Sequence, residues 1–146
     1  MMTMLLNPEL HLRIVGVLLL ALVALNAYVP RRFNWREELA TLSLLNRQIF
    51  QVHAAFICII LAMFAALAIF YARELLAPTP LARAVLALLA IFWFLRLLTQ
   101  WFVYDRRLWR GKRFETAVHF VFTGVWTYFA ATFAYALLHN LERFST

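Results

Sequence analysis

Residues 46–71 read NRQIFQVHAAFICIILAMFAALAIFY, and Arg47 is the only Asp, Glu, Lys or Arg among them. A helix needs about 20 apolar residues, rising about 1.5 Å each, to cross a hydrocarbon core of about 30 Å. This stretch is long enough, and three further apolar runs occupy residues 10–29, 81–104 and 116–138. The sequence therefore predicts one domain, residues 1–146, with four transmembrane helices.

The composition of the chain supports the same class. Of 146 residues, 65% are hydrophobic and 14% are charged, against about 45–50% and about 25% in soluble domains. A soluble chain of this size could not bury so much apolar surface, whereas a lipid bilayer can solvate it. We therefore predict an all-α fold: an integral membrane, antiparallel bundle of four transmembrane helices, with a short interfacial amphipathic helix between the first and the second.

Two connections define this arrangement. Pro78, Thr79 and Pro80 interrupt the helical pattern between the second and third runs, and so short a turn makes those two helices antiparallel neighbours. Residues 33–45 predict the interfacial helix, because apolar side chains recur there at helical spacing with charged residues between them. Asn34 is the expected cap of this helix, with the glutamate three residues later as its capping-box partner.

The first run has a second interpretation. It ends in small residues around Ala24 and Ala27, which also fits a cleaved signal peptide. Against this, residues 1–10 contain Glu9 and no Lys or Arg, whereas a signal peptide begins with positive charge. We predict that the first run is retained as a transmembrane helix.

Basic residues are distributed unequally between the two sides that this topology creates. The connection after the first helix, the start of the second and the connection after the third carry nine: Arg31, Arg32, Arg36, Arg47, Arg106, Arg107, Arg110, Lys112 and Arg113. The other side carries four: Arg13, Arg73, Arg83 and Arg143. The positive-inside rule then predicts a bacterial-type inner (plasma) membrane protein with both termini on the non-cytoplasmic side. Topology and anionic lipid explain the net charge of +7, so no nucleic-acid partner is expected.

Polar side chains follow one face of the third helix. Trp93, Arg96, Gln100 and Tyr104 are spaced by three, four and four residues, which places them on a common stripe. An intramembrane arginine costs at least about 2.5–3.5 kcal/mol on insertion scales, so it needs a partner, water or a route to the interface. One interpretation is that Arg96 extends to headgroup phosphates. The other is that it binds an anionic ligand, because no Asp or Glu lies within the four runs.

Two histidines lie toward the same end of other helices. His119 is near the start of the fourth run, about one turn inside the apolar segment. His53 is on the second helix, on a different face from Arg47, Gln51 and Cys58, so only one of these two faces can point to the centre of a bundle. Cys58 is the only cysteine, and disulfides and thiolate metal sites need further cysteines. We therefore predict that Cys58 is a packing residue.

The leading functional prediction is a polar pocket in the cytoplasmic leaflet that binds a lipophilic or amphiphilic, anionic molecule. Its predicted lining residues are Trp93, Arg96, Gln100, Tyr104, His119, Thr123 and His53. Arg96 would hold the anionic head, and His119 or Tyr104 would handle a proton if the protein is a membrane-embedded enzyme. The expected partners are the lipid bilayer and this lipophilic small molecule.

Two alternatives remain open at this stage. A b-type haem, and with it an electron-transfer function, needs one histidine from each of two helices, which His53 and His119 supply. A non-catalytic accessory or scaffolding subunit, within a homo-oligomer or a larger membrane complex, fits the aromatic content of 16%, because exposed rings suit a partner helix as well as lipid.

The chain resembles the small glutathione-dependent membrane transferases of eicosanoid metabolism. The shared features are four helices in a chain of this length, both termini outside, and an Arg-Tyr end of the third helix, here Arg96 to Tyr104. The resemblance implies a site for a lipophilic substrate. It covers the topology and one helix end. The family's Arg/Asn/Glu signature in the second helix has no counterpart, because Asn46 and Arg47 are followed by His53 and by no acid.

Overall fold

A computed structural model describes residues 7–32, 34–105, 107 and 109–145. Its helices are α1 (Pro8–Arg32), α2 (Trp35–Glu38), α3 (Leu44–Phe70), α4 (Ala72–Leu75), α5 (Pro80–Phe102) and α6 (Arg113–Ser145), with one 3-10 turn at Leu39–Thr41. The described ranges contain no strand. By length and composition α1, α3, α5 and α6 can each span a membrane. The prediction of an all-α fold with four such helices is confirmed.

Side-chain caps explain where two of the long helices begin. The Ser43 hydroxyl precedes α3 and accepts a hydrogen bond from the backbone N–H of Asn46 at 3.4 Å. The Thr79 hydroxyl precedes α5 and accepts one from Ala82 at 3.2 Å. Each cap satisfies a backbone donor that has no partner within its helix. Pro80 opens α5 at a position where its missing N–H leaves no hydrogen bond unmade.

The last two long helices differ from the predicted runs at their ends. α5 ends at Phe102, so Tyr104 lies beyond the helix and not in its last turn. α6 begins at Arg113 and extends to Ser145, beyond residues 116–138 at both ends. Hydropathy identifies only the apolar part of a helix, whereas backbone hydrogen bonds continue into segments that are polar.

The segment between α1 and α3 is less regular than predicted. Residue 33 lies outside the described residues; from residue 34 on, the continuous helix expected up to residue 45 is a single turn, α2, followed by a 3-10 turn. The capping-box prediction for Asn34 is wrong: Asn34 adopts a left-handed conformation with φ of 49°, and its side chain makes no cap hydrogen bond. Its backbone carbonyl instead accepts from the N–H groups of Glu37 and Glu38, at 3.0 and 3.3 Å. Asparagine tolerates this conformation better than most residues with a Cβ.

The chain forms two compact units: unit 1, residues 1–12 and 72–146, and unit 2, residues 13–71. In unit 1, α5 and α6 run antiparallel, because Trp93 stacks on Trp126 while Gln100 bonds to His119. Large side chains on both helices are buried, among them Trp93, Leu86, Phe129 and Phe133.

In unit 2, α1 and α3 approach each other closely at Gly16. A Cβ placed there would lie 2.5 Å from Ile69 Cγ1 and 3.0 Å from the carbonyl oxygen of Ala65. The missing side chain therefore allows the close contact. Arg13, one turn earlier on α1, donates to the carbonyl oxygen of Ile69 at 2.9 Å and satisfies one of the free acceptors at the end of α3.

Candidate functional site

The polar stripe of α5 meets α6 in a cluster that contains Arg96, Gln100, His119 and Trp126, called here the Arg96 cluster. Gln100 is at its centre and only 7% of its surface is exposed. Its Oε1 accepts from Arg96 Nη1 at 3.4 Å and from Trp126 Nε1 at 3.3 Å. Its Nε2 lies 2.8 Å from His119 Nδ1. The amide side chain of Gln100 thus connects Arg96, His119 and Trp126.

The hydrogen bonds of Gln100 assign the tautomer of His119. Arg96 and Trp126 can only donate, so the amide oxygen must face them and the amide NH₂ must face His119. His119 Nδ1 then accepts that hydrogen bond, which leaves the ring proton on Nε2. His119 therefore presents an N–H donor, and not a lone pair, on the side away from Gln100.

The guanidinium of Arg96 is surrounded by rings and an amide. Its central carbon lies 4.7 Å from the ring centre of Trp126 and 5.7 Å from that of Tyr104. Such cation–π contacts contribute about 0.5–2 kcal/mol each. Among the described residues, no Asp or Glu lies within ion-pair distance of Arg96, which is half-buried. Its charge is thus held by neutral groups alone, at a point six residues, or about 9 Å, before the end of α5.

Aromatic side chains fix the geometry of this cluster. Trp93 is 1% exposed, stacks on Trp126 with ring centres 5.4 Å apart, and meets Phe129 edge-on at 4.8 Å. Trp109 stacks on the imidazole of His119 at 4.0 Å. The indole N–H of Trp93 is buried without a hydrogen-bond partner among the described residues. Trp93 therefore supports Trp126 by packing and does not present its polar atom to a ligand.

The other predicted site residues take three different positions. Thr123 donates to the backbone carbonyl of His119 at 2.8 Å, so its hydroxyl proton is used within α6. Tyr104 is at the rim beside Arg96 and is 42% exposed. His53 belongs to unit 2, is exposed, and has Nδ1 2.8 Å from the carbonyl oxygen of Ile49. The structure thus brings six of the seven predicted ligand-binding residues together in unit 1 and leaves His53 outside that group.

The same geometry bears on the haem hypothesis. The bond from His53 Nδ1–H to a carbonyl leaves its Nε2 with the lone pair that an iron ligand needs. His119 has the opposite tautomer, so it could ligate through Nε2 only after its bond with Gln100 is rearranged. In the described part of the chain, no three His, Cys, Asp or Glu side chains form a group that could hold a metal ion. Ligation of one haem by His53 and His119 stays a prediction.

Sequence reasoning missed a second set of polar contacts. His11 Nδ1 lies 2.8 Å from the hydroxyl of Tyr128 in unit 1. Asn140 has no exposed surface, and its amide nitrogen donates to the carbonyl oxygens of Leu75 and Ala77, which anchors α6 to the connection between α4 and α5. Tyr128 and Asn140 are twelve residues apart on α6, which places them about 120° apart around the helix, so no common face in the sequence indicates them.

Comparisons with models of protein families, with curated proteins and with solved structures found no match to this chain.

Proposed function

We propose that this small polytopic membrane protein binds an anionic amphiphile at the Arg96 cluster, in the cytoplasmic leaflet of a bacterial-type inner membrane. The observation that supports the proposal is the half-buried guanidinium of Arg96, which has no carboxylate at ion-pair distance among the described residues. An arginine within an apolar helix is costly, by at least about 2.5–3.5 kcal/mol on insertion scales. An anionic headgroup would compensate that cost through charge-assisted hydrogen bonds.

The donors around Arg96 favour an anion over a neutral ligand. The guanidinium has donors and no acceptor, and the tautomer assigned above gives His119 of the same cluster an Nε2–H donor. The exposed ring of Tyr104 is at the edge of the same group. A headgroup with several oxygens can accept from more than one of these donors at once, whereas a neutral headgroup leaves the charge uncompensated.

The placement in the cytoplasmic leaflet depends on the basic residues of the adjoining loop. Arg107, Arg110, Lys112 and Arg113 lie beside the end of α5 and the start of α6, and each of them is exposed. Such a loop stays in the cytoplasm and attracts anionic lipid by about 1 kcal/mol per residue near the surface. Arg96 would therefore contact a headgroup that the loop has already concentrated. Catalysis at the same place would use His119 Nε2–H as the proton donor, and it remains part of the prediction.

The experiment measures binding of phosphatidylglycerol to the full chain in dodecyl maltoside by native mass spectrometry, with phosphatidylcholine as the zwitterionic control. We expect Arg96→Gln to raise the Kd for phosphatidylglycerol about tenfold or more, since hydrogen bonds to charged groups contribute about 1.5–3 kcal/mol. Arg96→Lys keeps the charge but not the planar fork of donors, so its Kd should lie between those of the parent protein and Arg96→Gln.

The matched control is Arg110→Gln, which removes the same charge from the exposed loop. It should raise the Kd by no more than about fivefold, because one exposed basic residue attracts anionic lipid by about 1 kcal/mol. Circular dichroism establishes that each variant is folded. If Arg96→Gln and Arg110→Gln weaken binding equally, loop charge alone explains the affinity and the proposed site is wrong.

A further inference from the structure

Unit 2 contains an open cavity of about 670 Å³, one wall of which is the face of α3 that carries Arg47, Gln51 and Cys58. It lies between the last turns of α1, the short helix α2 and the first half of α3. Its principal lining residues are Asn26, Trp35, Arg36, Arg47, Gln51 and Cys58. The volume falls within the range of about 300–1,000 Å³ that is typical of small-molecule sites.

The wall that α3 contributes changes from polar to apolar along its length. Arg47, Gln51, Ala54 and Cys58 are spaced by four, three and four residues, and all of them line the cavity. Arg47 is in the first turn of α3, while Cys58 is eleven residues, or about 16 Å, further along the helix. The cavity therefore has a cationic end near the start of the helix and an apolar end within the apolar span.

Two arginines mark the cationic end. Arg47 on α3 and Arg36 on α2 both line the cavity, and in the described ranges neither has an Asp or Glu at ion-pair distance. The position of α2 is fixed by Trp35, whose ring meets Phe50 of α3 edge-on at 4.9 Å. Two guanidinium groups from different helices can thus converge on one group of anionic oxygens, which is the geometry that bidentate arginine recognition uses.

We propose that this cavity binds a single amphiphile with an anionic, phosphate-like headgroup. The headgroup accepts hydrogen bonds from Arg36 and Arg47, and the chain extends along Ala54 toward Cys58. Because the apolar end lies within the membrane-spanning part of α3, the chain keeps an apolar environment while the headgroup enters the cavity. The site consists of unit 2 residues only, so it is independent of the Arg96 cluster and of the function proposed for that cluster.

The experiment uses the full chain in dodecyl maltoside, carrying Arg96→Gln so that the cluster in unit 1 does not contribute. Native mass spectrometry measures the Kd of dodecyl phosphate. Inorganic phosphate provides the headgroup without a chain, and the detergent provides a chain without charge. We expect saturable binding of dodecyl phosphate, and Arg47→Gln should raise its Kd about tenfold or more. Arg110→Gln, the exposed control from unit 1, should change it by no more than about twofold.

A second variant tests the apolar end without changing the charge. Ala54→Leu fills the cavity beside the expected chain, and Ala62→Leu adds the same atoms to a half-buried position of α3 that does not line the cavity. We expect Ala54→Leu to raise the Kd of dodecyl phosphate about fivefold or more, because the larger side chain occupies the volume that the alkyl chain would fill. Ala62→Leu should leave it unchanged. An alkyl phosphate with a terminal diazirine should crosslink to residues 54–58.

Three results would overturn the proposal. The first is equal affinity for dodecyl phosphate in Arg47→Gln and its parent. The second is inorganic phosphate binding as tightly as dodecyl phosphate, since the chain would then contribute nothing. The third is crosslinking to segments that do not line the cavity. The Arg96 cluster is tested separately, by the effect of the single substitution Arg96→Gln on phosphatidylglycerol binding. Failure of one proposal can therefore be distinguished from failure of the other.

Discussion

Arg96 of unit 1 and Arg47 of unit 2 are the same type of residue in contrasting surroundings. Both are half-buried, and neither has a carboxylate at ion-pair distance among the described residues. Arg96 is packed against the rings of Trp126 and Tyr104 and bonded to Gln100. Arg47 borders a cavity of about 670 Å³. The free volume beside the arginine, and not its charge, decides whether a ligand can bring its chain into the protein.

Side-chain size explains why a cavity forms beside Arg47. In unit 1 the helix faces that meet are filled by large rings, including Trp93, Trp126 and Phe129. In unit 2 the corresponding stretch of α3 presents Ala54, Ala55 and Cys58 to the cavity. Large rings on two facing helices interlock and exclude other molecules, whereas small side chains on one helix leave space that the other does not fill.

The largest expected effect on stability comes from replacing a packed tryptophan, compared with a tryptophan at the edge of the cavity. Trp93→Ala should lower the free energy of unfolding by about 3–5 kcal/mol, because it removes a buried ring with three aromatic neighbours. Trp35→Ala should lower it by about 0.5–1.5 kcal/mol, since Trp35 is half-buried and its aromatic contact is with Phe50. Unfolding in detergent, followed by circular dichroism, measures both. Similar losses would show that the two regions are packed alike.

Two glycines should respond in opposite directions to the same substitution. Gly16→Ala should destabilise the fold by about 1–3 kcal/mol, because the added Cβ would overlap Ile69 and press against the Ala65 carbonyl. Gly124→Ala on α6 meets nothing within 4 Å and should stabilise it by up to about 1 kcal/mol through helix propensity. Thermal unfolding of the two variants gives the sign of each change. Stabilisation by Gly16→Ala would mean that α1 and α3 are not in close contact.

The smallest expected effect distinguishes the two glutamines. Gln100→Leu should destabilise the fold by about 1–3 kcal/mol, since it leaves the buried N–H of Trp126 without an acceptor. Gln51→Leu, at an exposed position of the cavity wall, should change stability by no more than about 0.5 kcal/mol. Nitrogen NMR of labelled histidine adds a direct test: His119 should show the Nε2–H tautomer in the parent and lose this preference in Gln100→Leu. An Nδ1–H tautomer in the parent would refute the assignment.

The helices were predictable because hydrophobic length and local breakers act within short segments. The run around residues 46–71 exceeds what a bilayer requires, and Pro78 and Pro80 mark a connection wherever the rest of the chain lies. Capping was less predictable. Asn34 matches the sequence pattern of a cap, yet its backbone is left-handed and α2 lasts one turn, since the neighbouring chain decides the path at such a short element.

The candidate site was predictable in part for the same reason. Spacing along one helix placed Arg96 and Gln100 on a common face, and the contacts of the structure agree with that. The bond from Gln100 to His119 joins two helices, and its existence depends on how far one helix is shifted along the other. A shift of one turn, about 5.4 Å, would separate them. The spacing of residues within one helix does not predict how far that helix is shifted along its neighbour.

By itself, the sequence determined the all-α class, the four helices long enough to span a membrane and the stripe of α5, because hydropathy and helical periodicity are properties of one segment at a time. The packing of the helices against one another brings Gln100 between Arg96 and His119, places His11 beside Tyr128, and leaves a cavity beside Arg47. These features arise from the register and separation of helices distant in sequence, which packing of whole side chains sets.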